Sequence, residues 1–243
     1  MVGTEHIVKG YDADLSRLDN MIAEMGGLAE AQLAAAIGAL IRFDTDVAQR
    51  IVADDKKIDE LESQVDDFTV KLVALRQPMA DDLRIVITGL KISSNIERIG
   101  DYAKNIAKRT LTLAKTPTIG SSVNTIARMG NVVEGMIKNV LDAYIARDAE
   151  KADDVRLRDQ EVDQIHSSLF RELLTYMMED PRKIGPCTHL LFIAKNIERI
   201  GDHTTSIAEQ IHFMVHGEMP SDDRPKGDSS SFTVVEADGT ARK

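Results

Sequence analysis

This chain has no tryptophan, one cysteine, six prolines and an aromatic fraction of only 4% over 243 residues. So few aromatics leave the core to aliphatic side chains, and the abundance of Ala, Leu, Ile, Asp, Glu and Lys suits helices packed by them. A lone thiol, Cys187, excludes an internal disulfide. No apolar run approaches the roughly 20 residues needed to cross a bilayer. The start, Met1-Val2-Gly3-Thr4-Glu5-His6, lacks the basic and apolar regions of a secretory signal. A cytoplasmic location is therefore expected, with any membrane association made through a partner. The formal net charge of -10 disfavours nucleic acid and anionic lipid, both of which attract basic surfaces, so partners should be proteins or cations. Glycine-rich phosphate loops, Walker sequences and nucleophile elbows are also missing.

What the chain does have is a copy of itself. Asn95-Ile96-Glu97-Arg98-Ile99-Gly100-Asp101 recurs as Asn196-Ile197-Glu198-Arg199-Ile200-Gly201-Asp202, 101 positions later. Earlier landmarks repeat at an offset of 104: Met25-Gly26 on Met129-Gly130, Glu30 on Glu134, Asp44 on Asp148, and Asp55 and Asp59 on Asp159 and Asp163. The difference of three residues is absorbed most simply in a turn around Pro181, Gly185 and Pro186.

Within the first copy, Leu15, Leu18, Ile22, Met25, Ala29, Leu33, Ala36 and Leu40 recur at steps of three and four and predict a helix from Tyr11 to about Arg42. Asp44 can cap a second, carrying Ile51, Ile58, Leu61, Val65, Phe68, Leu72 and Leu75 and ending near Gln77, before Pro78. A third runs from about Met79 to Lys115. Leu83, Val86, Ile87 and Leu90 give it a second apolar face, so it should touch more than its own bundle. The pattern breaks at Thr116-Pro117-Thr118-Ile119-Gly120-Ser121 and then restarts. The expected architecture is all-α, two tandem three-helix bundles of six long helices related by pseudo-twofold internal symmetry. The units are 1–115 and 121–217, with a flexible tail over 218–243.

In each copy two acid pairs stand at i and i+4, on one helix face. They are Asp55 with Asp59 and Glu97 with Asp101, then Asp159 with Asp163 and Glu198 with Asp202. Four carboxylates from neighbouring helices could hold a hard cation or first-row metal. They could equally be a solvated face laced with pairs such as Arg98 with Asp101, and pattern alone leaves both readings open. Convergence depends on helix rotation, since Asp55 and Asp59 flank the second helix's stripe while Glu97 and Asp101 lie almost opposite the third's. His166, three residues after Asp163, reads as a surface residue, and Cys187 as a small buried or semi-buried thiol. Gly100 and Gly201 sit inside helices at a cost of about 1 kcal/mol each relative to Ala, which close approach of a neighbour would explain.

Leu75-Arg76-Gln77-Pro78-Met79-Ala80-Asp81-Asp82-Leu83-Arg84 resembles the junction between helices 2 and 3 of the PhoU family, accessory regulators of bacterial high-affinity phosphate transport. Both Glu-Arg-Ile-Gly-Asp motifs resemble that family's paired acidic signatures. The resemblance spans about residues 7 to 217 and implies a cytoplasmic, non-enzymatic negative regulator of phosphate uptake and phosphate-starvation signalling, often dimeric. Its implied partners are the phosphate ABC transporter ATPase subunit and the phosphate sensor histidine kinase. It also implies metal ions or a multinuclear cluster, iron or Mn, Mg, Zn or Ni, on Asp55, Asp59, Glu97, Asp101, Asp159, Asp163, Glu198 and Asp202, none needed for folding. Asp180-Pro181-Arg182 departs from the family pattern at the second junction. The alternative is a carboxylate-bridged metal protein of ferritin-like type, on the Glu-x-x-His spacing of Glu209 and His212; the first copy has Lys108-Arg109-Thr110-Leu111 there.

Overall fold

The computed structural model describes residues 3–116, 120–221, 234–235 and 241–242. Seven α-helices fill it: α1 (Gly3–Arg42), α2 (Thr45–Asp54), α3 (Lys56–Arg76), α4 (Asp81–Leu113), α5 (Gly120–Ala146), α6 (Ala149–Glu179) and α7 (Ile184–His216), with a 3₁₀ turn at Pro181–Lys183 before α7. The fold is all-α, with α1 to α4 forming one unit and α5 to α7 the other. Residues 117–119 of the expected break lie outside the described residues. So does most of the expected tail, of which the structure describes 218–221 and two paired two-residue strands, Val234–Val235 (β1) and Ala241–Arg242 (β2).

The second helix of unit one is expected as one element and instead divides at Asp55. The backbone there stays right-handed (φ −54°, ψ −36°), but Ile58 N–H bonds the Asp55 carbonyl at 2.9 Å, three residues back. One turn thus tightens toward 3₁₀ geometry. The kink coincides with the buried carboxylate of Asp55, bonded from two other helices. The matching position in unit two, Asp159, lies inside an unbroken α6.

Each unit turns its first corner the same way. Asp44 and Asp148 cap α2 and α6, accepting from Val47 N–H at 3.0 Å and Lys151 N–H at 2.9 Å. Just before them Phe43 (φ 53°) and Arg147 (φ 55°) stand in the left-handed region. The next N–H reaches five residues back, Asp44 to Ala39 and Asp148 to Ala143, closing the carbonyls of α1 and α5. Gln77 (φ 49°) ends α3 before Pro78, and Gly217 (φ 82°) ends α7.

The units share one core. A single cluster of buried aliphatics runs from Leu18 and Ile22 through Ile99 and Val133 to Ile207 and Met214, with α1 packed on α5 and α4 on α7. The expectation that the third helix reaches beyond its own bundle is met by α4 against α7, although Leu83 and Ile87 remain exposed. At the α1/α5 crossing, a Cβ on Gly26 would fall 2.4 Å from Leu141 Cδ2, and one on Gly130 would fall 2.8 Å from Ile37 Cγ1. Gly26 matches Gly130 and Ile37 matches Leu141 at the 104 offset. The contact is therefore exchanged by the internal twofold, as in an isologous dimer interface. Tyr102 and His203, also equivalent, stack with ring centroids 5.6 Å apart, which puts the pseudo-axis between them.

Candidate functional site

The glycines of the two heptapeptides let the acids approach. A Cβ on Gly100 would lie 2.9 Å from Ile58 Cδ1 and 3.6 Å from Asp55 Oδ1, and one on Gly201 would lie 3.0 Å from Asp159 Oδ1. The expected close approach at these helical glycines is present, and the approaching groups are Ile58 and the carboxylates themselves.

In unit one Asp55 is buried at 3% exposure, which for a carboxylate requires compensating donors. Gln32 Nε2 donates to Asp55 Oδ1 at 2.9 Å and to the Gly100 carbonyl at 3.3 Å. The Lys104 ammonium bonds Asp55 Oδ2 and, at 2.6 Å, Asp101 Oδ1. Lys104 thus bridges the acid of the second helix to the acid of the third. Arg98 adds contacts of 3.3 Å to both Glu97 and Asp101. Burial, then the neighbouring Asp101 charge, raises the Glu97 carboxyl to about 7. Burial also pushes Asp101 upward, but bonding and charge from Lys104 outweigh it and hold Asp101 below the usual carboxylate range. Burial would lower Lys104, but its bonds to Asp101 and Asp55 outweigh that, and its pKa is raised. Asp59 stands apart, exposed on α3, with its carboxyl raised by partial burial and by the Asp55 charge.

Unit two places Asp159 (1%), Asp163 (3%) and Glu198 (6%) in the interior, with Asp202 half-buried. Lys195 Nζ bonds Glu198 Oε1 at 2.8 Å, and Arg199 lies 3.5 Å from Asp202. Burial raises Glu198 despite the Lys195 bond. His166, expected at the surface, is 4% exposed. The face carrying Val162, Ile165 and Leu169 is wide enough to enclose it, a width that the apolar stripe alone does not convey. Cys187 is buried as expected, and burial raises its thiol.

Among the described residues no three His, Cys, Asp or Glu side chains converge to hold a metal ion. The reason is plain in unit one, where an ammonium stands between the two acids that meet. Neither Lys104 nor Gln32 is singled out by the sequence reading. A signal existed in the repeat: Lys104 aligns with Thr205 at the 101 offset, and Gln32 with Met136 at 104. The Glu209 and His212 spacing builds no di-metal site, since Glu209 faces Arg156 at 3.8 Å and His212 bonds Asp153 at 3.1 Å. No helix among the described residues is long and apolar enough to cross a membrane.

Two helical units folded around a shared core each present an acidic i, i+4 pair on their last helix, which defines a duplicated helical-bundle class of protein. The family model described as PhoU domain matches residues 22–110 and 126–211. The chain belongs to the PhoU family. It is 51% identical over 225 residues to a phosphate-specific transport system accessory protein PhoU homolog of Caulobacter vibrioides, covering 93% of this chain and 98% of that one. It is 46% identical to the homolog of Rhizobium meliloti, covering 93% and 95%. The crystal structure of PhoU from Pseudomonas aeruginosa superimposes with a TM-score of 0.81 at 36% identity, covering 86% of this chain and all of that one. The chain thus belongs to a family whose curated members are named accessory proteins of a phosphate-specific transport system.

Proposed function

We propose that the chain is a non-enzymatic negative regulator of high-affinity phosphate uptake and phosphate-starvation signalling. It acts in the cytoplasm, as a homodimer, by contacting the ATPase subunit of the phosphate ABC transporter and the phosphate sensor histidine kinase. The observation that carries this reading is near end-to-end identity of about half with accessory proteins of phosphate-specific transport. The acidic surface suits protein partners with basic patches, and the buried thiol with a raised pKa suits no nucleophilic role. Deleting the gene should derepress phosphate-starvation genes in phosphate-rich medium, and unchanged transcription would overturn the proposal. Affinity capture at high and low phosphate should recover the ATPase subunit and the kinase.

Metal ions form a second, subordinate part of this reading, confined to Asp159, Asp163, Glu198 and Asp202. Three of these are buried on neighbouring helices; their carboxylates do not converge as they stand and would have to turn toward one ion, but oxygen ligands of this kind suit iron, Mn, Mg, Zn or Ni. Replacing Glu198 and Asp202 with Ala should lower metal content by elemental analysis with helicity intact. Full occupancy in the double variant would refute the assignment.

A further inference from the structure

The two acidic sites hold their acids through different partners. In unit one the position between Asp55 and Asp101 is held by the chain's own ammonium, Lys104 Nζ, which hydrogen-bonds both carboxylates. Its side chain is 20% exposed and Asp55's 4%, so the pair is shielded from the salt and water that weaken surface ion pairs. Gln32 completes the coordination of Asp55 from a third helix. A divalent ion entering there would have to displace the ammonium and leave it beside a like charge in a confined space.

In unit two both of Asp55's partners are exchanged. Thr205 stands at the Lys104 position and Met136 at the Gln32 position, both buried. A hydroxyl brings no charge, and a thioether no hydrogen-bond donor.

We infer that Lys104 is a built-in counterion that substitutes for a metal ion in unit one, so that the Asp55 and Asp101 site refuses divalent cations. The carboxylates of unit one are then a structural cross-link between the α2/α3 kink and α4. Removing the lysine charge turns the same two acids into cation ligands. This inference deepens the metal reading above, yet its test does not depend on it, because the quantity read is the difference between variants, whatever unit two binds.

Ions bound per chain are counted by equilibrium dialysis of the chelator-treated full-length protein against Mn²⁺ alone. Lys104→Thr, which copies unit two, should bind one Mn²⁺ more than the parent, and adding Asp55→Asn should abolish that gain. Lys104→Arg, which keeps the charge, should bind as the parent does. Mn²⁺ should raise the Tm of Lys104→Thr more than that of the parent, while an equal ionic strength of NaCl should not. No gain in Lys104→Thr would overturn the inference. The parent offers a second arm that needs no lysine replacement: Asp55→Asn with Asp101→Asn should leave its Mn²⁺ count unchanged, and a loss of bound ions would show that unit one binds metal with Lys104 in place. If unit two binds nothing, the parent count is zero and the gain in Lys104→Thr still decides.

Discussion

The two units share backbone and differ in what they bury. Their first corners superimpose in detail, from the left-handed Phe43 and Arg147 to the caps Asp44 and Asp148. Yet Phe43 closes the corner half-buried, packed against the apolar core, whereas Arg147 makes two bonds of 2.8 and 2.7 Å to Asp19 of the other unit and lies over the Tyr144 ring. Asp19 and Tyr144 align with Val123 and Leu40. One end of the α1/α5 seam is therefore polar and the other apolar. The acid sites show the same divergence, with Gln32 and Lys104 replaced by Met136 and Thr205. Duplication preserves the features that set chain direction, such as caps and glycine contacts, because a change there disturbs the whole packing. Polar pairs can be exchanged as sets for apolar ones at little net cost, provided neither partner is left buried alone.

The strongest test of that equivalence is at the seam. Gly26→Ala and Gly130→Ala each force a methyl group into a packed leucine or isoleucine, at a cost of about 1–3 kcal/mol, of which up to about 1 kcal/mol is returned as helix propensity. With that returned, each should lose up to about 2 kcal/mol by urea denaturation, with similar values at the two sites. Leu141→Ala should suppress the cost at Gly26 but not at Gly130; equal suppression at both would break the pairing.

Arg147→Ala should cost about 1–2 kcal/mol, because it leaves Asp19 without its cation and uncovers the Tyr144 ring. The matching change at the apolar end, Phe43→Ala, should cost an amount insensitive to salt, while the Arg147 effect shrinks at high ionic strength. Equal salt dependence at the two ends would remove the polar-apolar distinction.

A smaller effect is expected at Glu97. Its carboxyl titrates at about 7 in the fold against an ordinary 4.5, so the folded state binds the proton more tightly. The resulting stabilisation is complete below about pH 4.5 and is lost as pH rises through about 7. Glu97→Gln should flatten the stability profile across that window, and an unchanged slope would show that the proton resides elsewhere.

Much of the fold was legible in the sequence because its signals are local. The three-and-four spacing from Leu15 to Leu40, the caps Asp44 and Asp148 and the stop at Gln77-Pro78 each depend on residues within a turn or two. Gly100 and Gly201 also announced a close approach. Less was legible about the acids. Spacing groups eight carboxylates in i, i+4 pairs, but Asp59 is exposed while Asp55, Asp159, Asp163 and Glu198 are buried. Helix rotation decides that, and rotation is set by the summed packing of several helices. His166 was misplaced to the surface for the same reason.

By itself the sequence determined that the chain is a helical repeat, where its main corners fall, and which acids lie on common helix faces. These follow from hydrogen bonding and side-chain spacing within single segments. Only the tertiary structure decided that the two halves share one core, and that Lys104 and Gln32, 49 and 23 residues from Asp55, neutralise it. Partners that far apart meet through the burial of aliphatic surface elsewhere in the chain, and the hydrophobic effect that brings them together carries no record of which polar groups it will enclose.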